Sequence, residues 1–346
     1  MPPQLPEVYS RMPVMARITV LGAGAWGTGF GRVLADAGND VTMWDIVPAV
    51  LEDIRVNHRN SARLPLAGIL PDTMTVEADR RTAVADARIV VVAIASQSAR
   101  GALESFRDFL PQDCIVVSVM KGIEKGTGKR MDQVVCEALD LPRTRFVAVS
   151  GPNLSAQVAQ RQPTATVVGS ESPEAARTVA QACSTPYFKP YLSDDVIGLE
   201  LCGSLKNIVA LAVGMGHGAG FGENTASVVM TLGMKEIACL GVAAGAKAET
   251  FAGLAGFGDL ICTCTSPLSR NYTFGYNLGT GMSIEEATKA SNGVAEGVAT
   301  TAAALELAGR LGVPMPLAEG MNAVLTDSSG FDELFDRLTG REIAAE

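Results

Sequence analysis

The sequence predicts an α/β fold in which a mainly parallel sheet is followed by an all-α C-terminal domain. Short β-rich apolar runs alternate with helical segments in the first half of the chain, as a doubly wound sheet requires. Strand signals stop at about residue 195, and the remaining sequence has helical periodicity. We therefore expect a flexible extension at residues 1–14, a sheet domain at 15–195 and a helical domain at 196–346.

Composition narrows the classes of partner and of chemistry. The 346 residues are 47% apolar and 19% charged, enough for two domains with a sizeable core. The net charge of -9 argues against a nucleic-acid partner. Seven Cys without paired spacing and only two His argue against disulfides, a metal site and a histidine base. We expect a cytoplasmic protein with reduced thiols and no bound metal.

Two stretches bear on membrane association. Residues 1–14 lack the apolar core of a signal peptide. The longest uninterrupted apolar run, residues 89–95, has the length of a buried strand and is far too short to span a bilayer. We therefore expect no stable membrane anchoring.

A glycine-rich turn follows the first predicted strand, Arg17–Leu21. Its residues are Gly22, Ala23, Gly24, Ala25, Trp26 and Gly27, and a helical segment follows. This is the G-x-G-x-x-G pattern in a strand–turn–helix setting. The first glycine allows the tight turn, the second lets a pyrophosphate approach the backbone, and the third brings helix and strand together, while the helix N-terminus attracts the phosphates. We predict Rossmann-type dinucleotide binding.

Asp45 follows the second predicted strand, Asp40–Trp44, and lies 23 positions after Gly22. An acidic side chain at this place can accept hydrogen bonds from both ribose hydroxyls of adenosine and would repel a 2′-phosphate. The alternative is an aspartate in a solvated loop. We favour the first interpretation, which predicts NAD as the preferred cofactor and leaves NADP possible.

The later predicted strands are residues 89–95, 115–120, 146–150 and 165–168, and polar segments follow the first three of them. Ligands of doubly wound sheets bind beyond the carboxyl ends of the strands. The segments at those ends are residues 96–97, 121–124 and 151–155. Lys121 is therefore a candidate contact for an anion or a substrate, the alternative being an ordinary surface lysine.

Lys206 interrupts the apolar stripe of a predicted helix. Cys202, Val209 and Val213 share this stripe at helical spacing, and Lys206 occupies the gap between them. The lysine either packs its stem and extends its ammonium to solvent, or it faces polar groups in the interior. Burial would lower the pKa of the ammonium towards neutrality, which is the condition for proton transfer to or from an oxygen.

The rest of the helical half contains two glycine-rich breaks, at residues 214–222 and 253–258. We interpret the first as a loop, because no strand precedes it. The segment at 224–246 is apolar almost all round, which is typical of a core helix or of a subunit interface, and indicates a homodimer. Residues 283–338 are predicted to be helical.

A small polar cluster follows the second glycine-rich break. Asp259 is the first charged residue after the glycines, and Ser269, Arg270 and Asn271 follow it. One guanidinium with two neutral polar side chains is a reasonable clamp for a phosphate. The alternatives are a helix N-cap for Asp259 and a surface ion pair for Arg270.

In their order along the chain, these motifs resemble those of bacterial-type NAD(P)-dependent sn-glycerol-3-phosphate dehydrogenase, from about Met15 to Ala323. The matching segments are residues 22–27 (GAGAWG), 121–124 (KGIE), 151–152 (GP), 200–207 (ELCGSLKN), 253–260 (GLAGFGDL), 263–266 (TCTS), 269–271 (SRN) and 296–297 (EG). The resemblance implies reversible reduction of dihydroxyacetone phosphate, a small phosphorylated three-carbon substrate, to sn-glycerol 3-phosphate. This is the entry step of glycerophospholipid synthesis.

The resemblance also implies roles for individual residues. Lys206 matches the proton donor and acceptor, Asp259 lies beside it, and Lys121 contacts both ligands. The remaining positions that match substrate contacts are Gly151, Asn153, Ser269, Arg270 and Asn271, and those that match cofactor contacts are Ser155, Arg270, Val294 and Glu296.

The sequence departs from the family pattern at several positions. Asn153 and Ser155 stand where the family often has Ser and Ala. Asp45 stands where a basic residue is common, which is a second reason to favour NAD. Ala95 replaces the usual proline before Ser96.

A lysine suits this reaction on chemical grounds. A ketone that accepts hydride develops negative charge on its oxygen, which an ammonium such as that of Lys206 can stabilise and protonate. The reverse reaction needs a neutral amine and therefore a lowered pKa. Lys121 as a second cation would lower the pKa of Lys206, whereas Asp259 would oppose that shift and orient the amine.

Two other functions fit the same outline. A β-hydroxyacid dehydrogenase also uses a lysine, with a nearby asparagine, and acts on substrates that carry a carboxylate. A non-catalytic NAD-binding sensor would bind NADH without turnover of any small ketone, and Lys206 would then be structural. A survey of phosphorylated against carboxylated substrates separates these possibilities.

Overall fold

The computed structural model describes residues 15–291 and 295–326, so the predicted extension at residues 1–14 lies outside the described range. The strands are β1 (Arg17–Leu21), β2 (Asp40–Trp44), β3 (Met74–Val76), β4 (Ile89–Val92), β5 (Ile115–Ser118), β6 (Ile123–Glu124), β7 (Lys129–Arg130), β8 (Phe146–Ser150), β9 (Thr164–Gly169) and β10 (Phe188–Ser193). The helices among them are α1 (Ala25–Asp36), α2 (Pro48–Asn57), α3 (Arg80–Val84), α4 (Ala99–Glu104), α5 (Met131–Leu139), α6 (Ser155–Ala159) and α7 (Pro173–Cys183). The helices that follow are α8 (Val196–Gly218), α9 (Glu223–Ala243), α10 (Ala248–Ala252), α11 (Asp259–Cys264), α12 (Arg270–Gly279), α13 (Ile284–Ala290), α14 (Glu296–Leu311) and α15 (Pro316–Thr326).

In the described part of the chain, eight strands form one sheet in the order β10-β9-β8-β5-β4-β1-β2-β3, and β6 pairs with β7 as a separate hairpin. The pairs from β8 across to β3 are parallel. β9 pairs with β8 in the antiparallel sense, and β10 is parallel to β9, so these two strands run against the others. The prediction of a mainly parallel sheet followed by a helical domain is confirmed.

The predicted strands differ from the observed ones in length and number. β4 ends at Val92 and β5 at Ser118, earlier than predicted, because regular pairing between the two strands stops at those residues. β3 and β10 were not predicted. β3 has three residues, too few to show alternation, and β10 contains Lys189 and Pro190, which an edge strand tolerates.

α8 forms the centre of the helical domain. Every residue from Gly198 to Gly216 is buried, and α9, α11, α12 and α14 pack around this helix. By length and composition α8 and α9 are apolar enough to cross a membrane, but 94% of the apolar window of α8 is buried inside the protein. This burial is what a central core helix shows.

The predicted loop at residues 214–222 is wrong for its first half, since α8 continues to Gly218. A Cβ atom at Gly214 would overlap the carbonyl oxygen of Tyr272 on α12, and one at Gly275 would overlap that of Leu211 on α8. The two backbones are therefore in direct contact. This packing outweighs the poor intrinsic helix propensity of glycine.

Candidate active site

The glycine-rich turn has the shape that a pyrophosphate site needs. Gly22 has a φ of +106°, and a Cβ atom there would lie 2.6 Å from the carbonyl oxygen of Ala93. A Cβ atom at Gly27 would overlap the Gly22 carbonyl, so the third glycine brings α1 onto the turn. Apart from its two chain neighbours, no described residue has an atom within 4 Å of the Cβ position of Gly24, which is the N-cap of α1 and has no side-chain cap. The open side and the N–H groups of the first turn, which begins at Ala25 and Trp26, fit a dinucleotide phosphate.

Asp45 is hydrogen-bonded to the glycine-rich turn. Its Oδ2 accepts a hydrogen bond from the N–H of Ala23 at 2.7 Å, and its Oδ1 accepts one from the N–H of Val47 at 2.9 Å. Each carboxylate oxygen keeps a second lone pair for a ribose hydroxyl. Ser155, the first residue of α6, lies close to α1 on the same side of the sheet, with its carbonyl oxygen 3.4 Å from the Cβ position of Gly29.

Lys206, Asp259 and Lys121 form a chain of charges. Asp259 accepts a hydrogen bond from Lys206 Nζ through Oδ1 and another from Lys121 Nζ through Oδ2, the second at 2.6 Å. Lys206 is 5% exposed and Asp259 1%, whereas the Lys121 side chain is 18% exposed. Lys121 comes from the loop after β5, Lys206 from α8 and Asp259 from the start of α11. The carboxylate therefore bridges cations from both domains.

Burial lowers the pKa of Lys206 to about 8. The carboxylate of Asp259 opposes this shift, and the positive charge of Lys121 adds to it. The amine can therefore exist in both protonation states near neutral pH, as a group that both gives and takes a proton requires.

Backbone contacts place Lys121. The Gly122 N–H donates to Ser204 Oγ on α8 at 2.8 Å, and Ser204 Oγ donates to the carbonyl of Glu200 at 2.7 Å. The Lys121 ammonium also donates to the carbonyl of Gly151 at 3.4 Å, which brings the loop after β8 to the same site.

Thr263 is a member of the site for which the sequence suggested no role. Its hydroxyl accepts a hydrogen bond from Lys206 Nζ at 2.5 Å and donates to the carbonyl of Asp259 at 2.7 Å. Asp259 and Thr263 are four residues apart on α11, so they share one face of that helix. The i, i+4 spacing is the signal that could have identified Thr263.

The predicted phosphate clamp lies at the N-terminus of α12. Ser269 is the N-cap, and its hydroxyl accepts a hydrogen bond from the Tyr272 N–H. Asn271 is buried, and its Oδ1 accepts a hydrogen bond from the N–H of Gly297 at 2.9 Å. Arg270 is exposed and makes no ion pair with any described residue. The helix N-terminus and this guanidinium together suit a phosphate dianion.

Two further predicted positions have different surroundings. The carboxyl of Glu296 lies among Arg270, Lys121 and Lys206; burial raises its pKa, and the three cations oppose the rise. The side chain of Asn153 is bound to β9, because Nδ2 donates to the carbonyl of Ala165 at 3.1 Å and Oδ1 accepts from Thr166 Oγ1 at 2.8 Å. The amide of Asn153 thus ties the loop to β9 and keeps one N–H donor and one lone pair for a ligand. Val294 lies outside the described residues.

Comparison with known proteins covers nearly the whole chain. The family model described as NAD-dependent glycerol-3-phosphate dehydrogenase N-terminus matches residues 17–176, and the model of the C-terminus of the same family matches residues 195–336. A glycerol-3-phosphate dehydrogenase (NAD(P)+) of Bifidobacterium longum subsp. infantis is 60% identical over 95% of this chain and 99% of its own length. One from Corynebacterium kroppenstedtii is 45% identical over 96% of this chain and 100% of its own.

Solved structures agree with this assignment. The crystal structure of glycerol-3-phosphate dehydrogenase from Coxiella burnetii is 30% identical and superimposes with a TM-score of 0.90, over 95% of this chain and 100% of that one. The Saccharomyces cerevisiae enzyme is 26% identical, with a TM-score of 0.80, over 94% of this chain and 99% of that one. The sequence matches, the fold and the glycine-rich turn together show that this chain belongs to the NAD-dependent glycerol-3-phosphate dehydrogenase family.

Proposed function

We propose that the chain interconverts dihydroxyacetone phosphate and sn-glycerol 3-phosphate, with Lys206 as the general acid and base. The observation that carries this proposal is the buried Lys206 ammonium, paired with Asp259 and Thr263 and close to a second ammonium, that of Lys121. The nicotinamide cofactor, when bound, donates or accepts the hydride. The protein must then supply the proton, stabilise the charge on the carbonyl oxygen and hold the phosphate.

Lys206 meets the first two requirements in our proposal. In the direction of reduction its ammonium donates a proton to the oxygen on which negative charge develops, and in the direction of oxidation the neutral amine removes the hydroxyl proton. Asp259 and Thr263 hold the amine in place, and Lys121 adds positive charge on the more exposed side of the site. A buried carboxylate between two ammonium groups limits the desolvation cost that either cation would have alone.

Ser269, Arg270 and Asn271 hold the substrate phosphate in this proposal. The phosphate itself does not react, but the energy of binding it holds the carbonyl in position for hydride transfer. A group remote from the reacting bond contributes to catalysis in this way. The backbone of residues 151–153 faces the same space through the Gly151 carbonyl, which Lys121 contacts. Glu296 completes the cofactor side in this proposal, and Val294, which lies outside the described residues, stays a cofactor contact predicted from sequence.

We propose that the cofactor lies along the glycine-rich turn, with its adenosine ribose at Asp45. A carboxylate at this position repels a 2′-phosphate, so we infer a preference for NAD, with NADP usable. Ile46, the next residue, is 78% exposed and offers an apolar surface beside the adenosine.

We propose further that the chain is a cytoplasmic homodimer that supplies glycerophospholipid synthesis, since its product carries two free hydroxyls that can be acylated. The exposed face of α9 supports the dimer, because Val228 and Val242 are 44% and 50% exposed there. The domain boundary that we propose lies at Asp195, the N-cap of α8.

The test is NADH oxidation with dihydroxyacetone phosphate, for wild type and for Lys206→Ala. We expect wild type to turn over and the variant to lose roughly 10²–10⁴-fold in kcat or more, because proton donation and oxyanion stabilisation are lost together. Lys289→Ala, which changes a lysine that is 73% exposed, serves as the matched control and should retain full activity.

Each other outcome removes one part of the proposal. Near-full activity of Lys206→Ala would contradict the role of Lys206. Equal or better use of NADPH by wild type would contradict the argument from Asp45. Turnover of a 3-hydroxy acid instead of the phosphorylated ketone would indicate a β-hydroxyacid dehydrogenase, and NADH binding without any turnover would indicate a sensor.

A further inference from the structure

Asn60 is a buried side chain that contacts the glycine-rich turn from behind. It lies in the loop between α2 and β3 and is 1% exposed. Its Nδ2 donates to the carbonyl of Ala23 and to Thr28 Oγ1, both at 2.8 Å, and its Oδ1 accepts from the N–H of Arg63 at 3.2 Å. Both donors and the acceptor of this amide are therefore used.

The bond to Ala23 determines the orientation of one peptide group. The Ala23 carbonyl and the Gly24 N–H belong to the same trans peptide and therefore point in opposite directions. With the carbonyl held by Asn60, the Gly24 N–H is directed to the opposite side of the turn. Gly24 is also the residue whose Cβ position is free of described atoms, as expected where a ligand approaches the backbone.

The preceding peptide is held from another direction. Asp45 accepts the N–H of Ala23, so the two peptide groups that flank Ala23 are both fixed by buried or half-buried side chains. A donor to a carbonyl also polarises the N–H of the same peptide, which strengthens that N–H as a donor. Without Asn60 the Ala23 carbonyl would be buried without a hydrogen-bond donor, and the peptide group between Ala23 and Gly24 would be free to rotate.

We propose that Asn60 is a positioning residue for cofactor binding, which presents the Gly24 N–H to the dinucleotide pyrophosphate. The proposal rests on the proposed placement of the cofactor along the turn. It is independent of the role of Lys206, because NADH binding can be measured without substrate.

The experiment is a fluorescence titration of NADH against Asn60→Ala in the absence of substrate. We expect the Kd for NADH to rise about tenfold, with kcat at saturating NADH close to wild type. The matched control is Asn39→Ala. Asn39 is 2% exposed, and its Nδ2 donates to the carbonyls of Leu34 and Ala182 while its Oδ1 accepts from the Ala16 N–H, but it does not contact the turn.

Both variants should lose stability, and only the change at Asn60 should weaken NADH binding. A Kd of Asn60→Ala within twofold of that of Asn39→Ala would overturn the proposal. Asn60→Asp gives a second readout, which also serves if the alanine variant is not recovered folded. Once protonated, the introduced carboxylic acid can donate to the Ala23 carbonyl, so NADH affinity should recover relative to wild type as the pH falls. An affinity ratio that does not change with pH would also overturn the proposal.

Discussion

At the scale of single residues, the site depends on how a positive charge is kept inside an apolar helix. The helical pattern predicted that Lys206 interrupts a buried stripe, but a pattern cannot say whether a lysine stem extends its ammonium to solvent. The structure excludes the extended alternative, since Lys206 is 5% exposed. Its ammonium is held by groups 53 and 57 residues away in sequence, Asp259 and Thr263.

The lowered pKa of Lys206 predicts opposite pH dependences for the two directions of the reaction. Because the amine loses its proton near pH 8, kcat/KM for glycerol 3-phosphate oxidation should rise as the pH increases through about 8. Ketone reduction, which needs the ammonium, should fall over the same interval. Initial rates in both directions across this range test the prediction. If the two rates changed in the same direction with pH, or if the pH dependence persisted in Lys206→Ala, the titration would belong to another group.

At the scale of elements, sequence alone identifies those that have strong local signals. The strands β1, β2 and β8 were predicted with their observed bounds, and a helix was predicted directly after the glycine-rich turn. The short β3, the edge strand β10 and the helical state of Gly214 depend on neighbours that are distant in sequence. The tie between Asn153 and β9 likewise depends on a tertiary pairing, and no spacing in the sequence indicates it.

The contact between α8 and α12 predicts that Gly275→Ala destabilises the protein. The added methyl would overlap the carbonyl of Leu211, and overpacking of this kind typically costs about 1–3 kcal/mol in the free energy of unfolding. Because α12 carries Arg270 at its start, the KM for the phosphorylated substrate should also rise. Urea unfolding and steady-state kinetics measure the two effects.

Gly309→Ala is the control for this substitution. Gly309 also lies within a helix, α14, but no described atom outside its own turn of helix backbone is within 4 Å of its Cβ position. The methyl should therefore stabilise the protein by roughly 0.5–1 kcal/mol, through helix propensity alone. If Gly275→Ala proved as stable as Gly309→Ala, close backbone contact would not be what holds the two helices together.

At the scale of the whole molecule, the chain is a sheet domain followed by a helical domain, with a catalytic lysine candidate from each. Composition and motif order predicted this division, and the excess of acidic residues agrees with a protein whose anionic ligands are bound by local cations. Sequence could not establish which surface would form the predicted dimer contact. Among the exposed positions on α9, five share one face of the helix: Val228, Thr231, Lys235, Cys239 and Val242.

We predict that this face forms the dimer contact. Wild type should sediment at twice the chain mass of 36.0 kDa, and the double change Val228→Asp with Val242→Asp should give the single-chain mass, because a charge would replace each of the two valines of this face. Val56→Asp, at a position that is 61% exposed on α2, is the control and should leave the mass unchanged. A wild-type monomer, or a double variant that stays dimeric, would show that α9 is not the interface.

Because the backbones of α8 and α12 touch, the backbone positions of Lys206 on one helix and Arg270 on the other are fixed relative to each other. In the proposed function these residues contact the two ends of the substrate, so the distance between them selects for the length of its carbon chain. We therefore expect a ketone whose phosphate is one carbon farther away to bind less well, although it carries the same charge. The glycines at the contact of α8 and α12 are remote from the reacting bonds, yet in this proposal they influence which substrate is selected.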